Sequence, residues 1–270
     1  MSRRVIRAAA VLLAAGVVLA GCSKSSDSAS GSSTTAKGGK VLSVCSDIPY
    51  EPMEFEAKKG ATPSGYTGFD IDLVQQIADN ADRTLKVKVT PFDGIIGALN
   101  AGQCDAIVSS LTITDERKQN VDFTTPYFNS DQSILVKADK AGQYKTLADL
   151  KGAKIGVQSG TTGEEYVTKN QPEGSTITAL PGAADLFAAL DSGKIDAVVQ
   201  DYPINAYRAT QKDDVALSEK IPTGEQYGIA VKKGNTEVLE IFNTGLASAK
   251  TDGTYAKIYE QYFGEKPPAS

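Results

Sequence analysis

The sequence predicts an α/β chain folded as two similar lobes, each an open sheet flanked by helices. Three observations predict it. Strand-like and helix-like segments alternate along the chain, the signature of parallel strand pairs with covering helices. A ten-residue pattern recurs at a separation of 91 residues: Leu99-Asn-Ala-Gly102-Gln-Cys-Asp105-Ala106-Ile107-Val108 is echoed by Leu190-Asp-Ser-Gly193-Lys-Ile-Asp196-Ala197-Val198-Val199. Two extended segments, 131–137 and 225–232, are apolar in their second halves and read as crossings between lobes. Paired crossings make a hinge.

Val41–Ser46 is a short, largely buried strand, broken by Asp47-Ile48-Pro49-Tyr50. Phe69–Ala81 has helical spacing, with Ile71, Val74 (or Leu73), Ile77 and Ala78 on one face. Leu85–Thr90 alternates apolar and basic residues, as a half-buried strand does. Asp93–Ala101 reads as a short helix with Ile95, Ile96 and Leu99 inward. Gly102 ends it, at the position that tolerates a left-handed backbone. The buried strand Ala106-Ile107-Val108 follows. A second series begins with a strand at Lys154–Gln158 and a helix start at Gly160–Glu164, where Thr161 and Glu164 have capping-box spacing. Thr176–Leu180 is a strand and Ala183–Asp191 a helix, leading into the second copy of the echo. Asn235–Ala249 is amphipathic, and Tyr255–Phe263 forms a last helix. The expected division is 40–132 plus 229–270 for lobe one and 133–228 for lobe two.

Composition narrows the chemistry. Apolar residues make up 41% and charged ones 23%, as in ordinary globular protein. Apart from Arg3, Arg4 and Arg7 at the start, 25 basic residues face 33 acidic ones, which argues against a nucleic-acid binder. The chain has no histidine, which removes His-based triads, His–metal sites and the commonest general base. No cofactor or metal is expected. Cys45 lies near the end of one strand and Cys104 near the start of another, so parallel strands would hold them too far apart for a disulfide. Both are expected as small buried apolar residues.

Residues 1–21 read as an export signal: a basic start, then the apolar run Ala8–Ala20, too short to span a bilayer comfortably. It ends Leu19-Ala20-Gly21-Cys22, which resembles the lipobox of bacterial lipoproteins. That resemblance implies cleavage before Cys22 and a diacylglyceryl group on its thiol, enough for stable membrane attachment. Ser23–Gly39 holds no apolar cluster and reads as a flexible tether within 22–39, with a span of about 23 Å.

In open α/β sheets, ligands sit beyond the carboxyl ends of the strands. Lobe one carries Asp47, Tyr50, Phe92, Ser110 and Thr112 at those ends, with Arg117 just after; lobe two carries Ser159–Thr162 and Gln200-Asp201. If the lobes face each other, the set suits a zwitterion. Arg117 would take a carboxylate bidentately, Asp201 an ammonium, and the aromatics would cover a side chain. The helix start at Thr161 and Thr162 would add N–H donors. Each residue also has a plainer reading. Arg117 would be paired with Asp115 or Glu116 at the surface, Asp201 would cap the helix beginning near Tyr202-Pro203, Tyr50 and Phe92 would be core, and Asp47 would form a turn before Pro49.

Gly68-Phe69-Asp70-Ile71-Asp72-Leu73, Phe92-Asp93-Gly94 and Ser110–Arg117 running into Asp122-Phe123-Thr124-Thr125-Pro126-Tyr127 together resemble the family 3 extracellular solute-binding proteins of bacterial ABC importers. The resemblance covers about residues 40–264. It implies the two-lobe periplasmic-binding-protein fold (type II) and an amino acid bound between the lobes. Arg117 would meet the α-carboxylate, assisted by Thr112 and the Thr162 region. Ser110 and Asp201 would meet the α-ammonium, and Tyr50 and Phe92 would sandwich the side chain. Asp47 matches the position that meets the far end of basic or amide side chains. A carboxylate there disfavours glutamate and aspartate and favours arginine, lysine, ornithine, histidine or glutamine, with cystine also compatible. The implied partners are a membrane permease and, through Cys22, the membrane; the protein is expected as a monomer. Two other readings share these residues: an exported dehydratase of prephenate-like substrates, with Asp47 or Glu51 as its acid or base, and a sensor reporting ligand to a membrane kinase.

Overall fold

The computed structural model describes residues 39–268. The signal, Cys22 and all but the end of the tether lie outside the described residues. In chain order the strands and helices are β1 (Val41–Ser46), the hairpin β2 (Phe55–Glu56) and β3 (Tyr66–Thr67), α1 (Phe69–Asn80), β4 (Thr84–Val89), α2 (Ile95–Asn100), β5 (Ala106–Ile107), α3 (Asp115–Asn120) and β6 (Val121–Phe123). Then come β7 (Phe128–Lys137), β8 (Lys154–Gln158), α4 (Thr162–Lys169), β9 (Thr176–Leu180), α5 (Ala183–Asp191), β10 (Ala197–Asp201), α6 (Tyr202–Gln211), β11 (Val215–Tyr227), β12 (Ala230–Lys232), α7 (Thr236–Thr251) and α8 (Thr254–Phe263). Among the described residues, no helix is long and apolar enough to cross a membrane.

Two five-stranded sheets organise these elements, in the orders β4-β1-β5-β12-β6 and β11-β7-β10-β8-β9. In each, three strands run parallel: β1 with β4 and β5, and β8 with β9 and β10. Strand alternation feeds both faces of each sheet. Leu42 and Val44 of β1 pack with α1, α7 and α8, while Cys45 faces Ile95 and Leu99 of α2. In the second sheet Val136 and Val157 look toward Val167 of α4, and Leu135 and Val198 toward Leu186 and Leu190 of α5. Both Leu73 and Val74 of α1 are buried. On β4 the expected inward set breaks down: Leu85 is buried, but Val89 at the far end of this edge strand is exposed.

Two expectations need correction. The segment 131–137 is not a crossing. Gln132–Val136 pairs with β10 inside the second sheet, and the chain passes over earlier, between Phe123 and Phe128. A central strand and a crossing show the same extended apolar pattern, so the pattern alone could not separate them. Second, Cys45 and Cys104 form a disulfide, with their Cα atoms 5.7 Å apart. Cys104 lies in the turn between α2 and β5, not in the strand. That turn folds back beside β1: the Asp105 N–H donates to Ser43 O, and the Asp105 carboxylate accepts the Ser43 N–H at 2.8 Å and its hydroxyl at 2.6 Å.

Candidate functional site

Where the two sheets present their strand ends to each other, a narrow cavity remains, with a volume of only about 10 Å³. Asp47, Tyr50, Phe92, Ser110, Thr112, Arg117, Thr161, Thr162 and Asp201 all line it, joined by Ser109 and Gln158. A larger groove elsewhere, lined by Phe128, Tyr202 and Phe263, holds none of these residues.

Thr114 places Arg117. Its hydroxyl accepts the Arg117 N–H at 3.1 Å and caps α3, so Arg117 falls in the first turn. The guanidinium turns inward, and the residue is 8% exposed. It donates to Thr112 O at 2.9 Å and, across the cleft, to Gly160 O at 3.0 Å. It also lies 5.4 Å from the centre of the Phe92 ring, a cation–π distance. The surface ion pair belongs to Asp115 and Lys118 instead. Burial lowers the Arg117 pKa, yet a guanidinium stays charged in proteins.

Asp201 stands at the start of α6, but its side chain does not cap that helix. It turns into the cavity, where Oδ2 accepts from the Tyr227 hydroxyl at 2.6 Å and the Tyr50 hydroxyl at 3.0 Å, and Oδ1 from Gln132 Nε2 at 2.7 Å. Burial, then the charge of Glu225, pushes its carboxyl up to about 6, while these donors pull the other way. Asp47 also lines the cavity. Its N–H donates to Ser109 Oγ at 2.9 Å, and its Oδ2 accepts from Gln158 Nε2 of the second lobe at 2.5 Å. Burial raises its carboxyl to about 6 against the Gln158 hydrogen bond, and Asp93 and Asp185 add to the rise.

The threonines are already engaged. Thr161 accepts the Glu164 N–H and donates to Gln158 O, which commits it to starting α4. The reciprocal half of the expected capping box is displaced by one residue, Glu164 accepting from Gly160 N–H at 2.7 Å. Thr112 and Thr162 donate to the same oxygen of Glu225, at 2.8 and 2.6 Å. Its other oxygen accepts from Gln132 and Thr223, both at 2.9 Å. Glu225 lies on β11 next to the return crossing, so one carboxylate ties hydroxyls from both lobes.

The site therefore includes Gln132, Gln158, Glu225 and Tyr227 beyond the residues read from sequence, together with Ser109, one of the hydroxyls at the end of the strand Ala106-Ile107-Val108. Gln158 was within reach of the strand-end rule, being the last residue of β8. Gln132 and Glu225 sit on long antiparallel strands for which that rule gives no position. Glu51, the other acid considered, is exposed and does not line this cavity.

A closed cleft with a guanidinium and a carboxylate contributed by different lobes meets its counterpart in sequence. The family model for bacterial extracellular solute-binding proteins, family 3, matches residues 42–265. The chain belongs to this family. As a family 3 solute-binding protein it is 37% identical to ABC transporter arginine-binding protein 1 of Escherichia coli (strain K12), over 73% of this chain and 81% of that one. It is 31% identical to the L-cystine-binding protein TcyJ of the same strain, over 92% and 91%. Among solved structures, an ancestral arginine-binding protein bound to arginine is 41% identical with a TM-score of 0.76, covering 83% of this chain and 98% of that one. An ancestral amino-acid-binding protein described as a precursor of cyclohexadienyl dehydratase is 40% identical with a TM-score of 0.76, covering 83% and 95%.

Proposed function

We propose that this family 3 solute-binding protein captures a polar or cationic L-amino acid between its lobes and delivers it to an ABC permease, working as a monomer tethered outside the cytoplasm through a lipid on Cys22. One observation carries the ligand reading: Arg117 and Asp201, on different lobes, face the same cavity. Arg117 takes the α-carboxylate. Asp201 and Ser110 take the α-ammonium, which would join the donors already on Asp201. Tyr50 and Phe92 flank the side chain. Asp47 meets the far end of the side chain and favours arginine, lysine, ornithine, histidine or glutamine over glutamate. The arginine- and cystine-binding relatives support a ligand with nitrogen at its far end.

Because the walls already touch through Arg117–Gly160, Asp47–Gln158 and Thr112–Glu225–Thr162, the lobes must part for a ligand to enter. Thermal-shift screening against the twenty common amino acids plus ornithine, citrulline and cystine tests the reading, since a ligand bound only by the native state raises the melting point. A shift with cationic or amide amino acids is expected, and none with any amino acid would overturn it. One observation favours testing an enzyme too: Asp47 is a cavity acid with its pKa raised toward neutrality, and one structural neighbour is an ancestor of a dehydratase. Turnover of prephenate or arogenate would establish that activity; unchanged substrate leaves the carrier.

A further inference from the structure

Behind the first-lobe wall of the cavity lie two carboxyl groups that do not line it. Glu54 and Asp70 are both 0% exposed. Each has one satisfied oxygen. Glu54 Oε1 accepts from Ser109 Oγ at 2.9 Å. Asp70 Oδ2 accepts from Ser110 N–H and the Tyr127 hydroxyl, both at 2.8 Å, with Ser110 Oγ at 3.5 Å. The other oxygens, Glu54 Oε2 and Asp70 Oδ1, are buried and receive no donor from any neighbour. Consecutive residues, Ser109 and Ser110, hold one oxygen of each, so the two carboxyls lie side by side, and the charge of Asp70 acts on Glu54. Among the described residues, no lysine or arginine pairs with either.

Two adjoining carboxylates without a cation cannot both stay ionised in a dry interior. Two buried acceptor oxygens with no donor are also costly. One proton resolves both problems. We infer that Glu54 and Asp70 share a single proton, carried as a neutral Glu54 acid that donates from Oε2 to Asp70 Oδ1, and that this pair positions Asp47, Ser109 and Ser110 for the ligand. The proton belongs on Glu54 because Asp70 has more donors to hold a negative charge. The electrostatics agree: burial and then the Asp70 charge raise Glu54 well above the carboxylate range, while Asp70, raised mainly by burial, is pulled back by Ser110 and Tyr127.

The pair acts through two serines. Ser110 has a left-handed backbone, φ 47°, which a residue with a side chain adopts at a cost. Asp70 holds it there by accepting its N–H. Ser109 donates to Glu54 and accepts the Asp47 N–H, so the pair also fixes the loop that carries Asp47. The titratable groups facing the pair are Asp47, Asp201, Tyr50, Tyr127 and Tyr255, and none of them supplies a positive charge.

The effect on binding rests on the ligand reading above; the proton itself does not. Infrared difference spectra of the full chain, wild type minus Glu54→Gln in heavy water at pH 8, should show the carbonyl stretch of a protonated carboxylic acid. Its absence overturns the shared proton. Should Glu54→Gln fail to fold, carboxyl-carbon NMR of wild-type protein labelled at Glu and Asp gives the same answer, from whether one buried carboxyl stays protonated at pH 8. With L-arginine and L-glutamine as probes, Glu54→Ala should bind at least tenfold more weakly, and Glu54→Gln, whose amide can donate to Asp70 and accept from Ser109, should recover to within threefold. Equal losses in both variants overturn the positioning role. If neither amino acid binds the wild type but the acid band is present, the proton pair stands and only the ligand reading fails.

Discussion

At the end of α2, Gly102 turns the chain with φ 72°; at the end of α5, Gly193 does the same with φ 71°. Three residues on, Asp105 and Asp196 make matching contacts. Each donates its N–H to the first-lobe Ser43 O or the second-lobe Lys154 O, and each carboxylate accepts that residue's N–H at 2.8 Å. The two turns therefore dock onto their neighbouring parallel strands in the same register, Val44 opposite Ala106 and Ile155 opposite Ala197. One position earlier they diverge. Cys104 is bonded to Cys45, whereas its counterpart Ile195 packs over Gly156, the counterpart of Cys45. A Cβ on Gly156 would come within 2.4 Å of Ile195 Cδ1. One backbone frame has taken two solutions to the same close approach, a covalent bond in one lobe and a side chain laid over a glycine in the other. The pinned lobe also carries the buried Glu54–Asp70 pair and the inward Arg117, while the second lobe offers Gln158, Thr161 and Thr162 around the acids Asp201 and Glu225.

The sharpest way to break this comparison is to remove the covalent half. Replacing Cys45 and Cys104 by alanine should cost about 4 kcal/mol for a closed loop of this length, read by urea unfolding; no change in midpoint would mean that the disulfide does nothing for lobe one. Arg117→Ala comes next. Calorimetry should find amino-acid affinity at least a hundredfold lower, about 2.7 kcal/mol, with an unchanged circular dichroism spectrum. Wild-type affinity would remove the carboxylate role. The matched aspartates then compare the lobes directly. Asp105→Ala and Asp196→Ala should each destabilise by about 1–3 kcal/mol, with the larger loss at Asp105, which also holds the Ser43 hydroxyl in a less exposed setting. Equal or reversed losses would contradict that ordering.

The smallest effect is in pH. Asp47 and Asp201 are raised to about 6 from 3.8. The folded chain therefore keeps protons that the unfolded chain releases between those values. Melting points of the free protein should rise as pH falls from 7 toward 4. Below that, Asp149, Asp214 and Asp252, whose pKa values are lowered by hydrogen bonds, act in the opposite direction. Affinity for a cationic amino acid should move the other way, weakening from pH 7 to pH 5, because the proposed ligand contacts require both carboxylates charged. Asp47→Asn should weaken arginine binding more than that of a neutral amino acid; an equal loss would remove Asp47 as the selector.

Much of this frame was legible in the residues because its signals are local. Gly102 and Gly193 stop helices, Asp105 and Asp196 follow at a fixed offset, and strand ends sort the cavity-lining residues by position. The disulfide escapes the parallel-strand spacing argument, yet the echo holds a clue to it: Cys104 and Ile195 share a place in the turn, before the strand starts, where the chain doubles back on its neighbour. Glu54, Gln132 and Glu225 left no periodic trace. Their roles come from contacts made over 55, 69 and 113 residues of chain, to Ser109, Asp201 and Thr112. Such pairings follow from how elements pack, not from the pattern of any one element.

A crystal structure of the protein grown with L-arginine, or with whichever amino acid most raises its melting point, bears on the central claim most directly. The ligand should lie between the lobes with its carboxylate on Arg117, its ammonium on Asp201 and its side chain running toward Asp47. Ligand density elsewhere, or a ligand reversed so that its carboxylate faces Asp201, would contradict it.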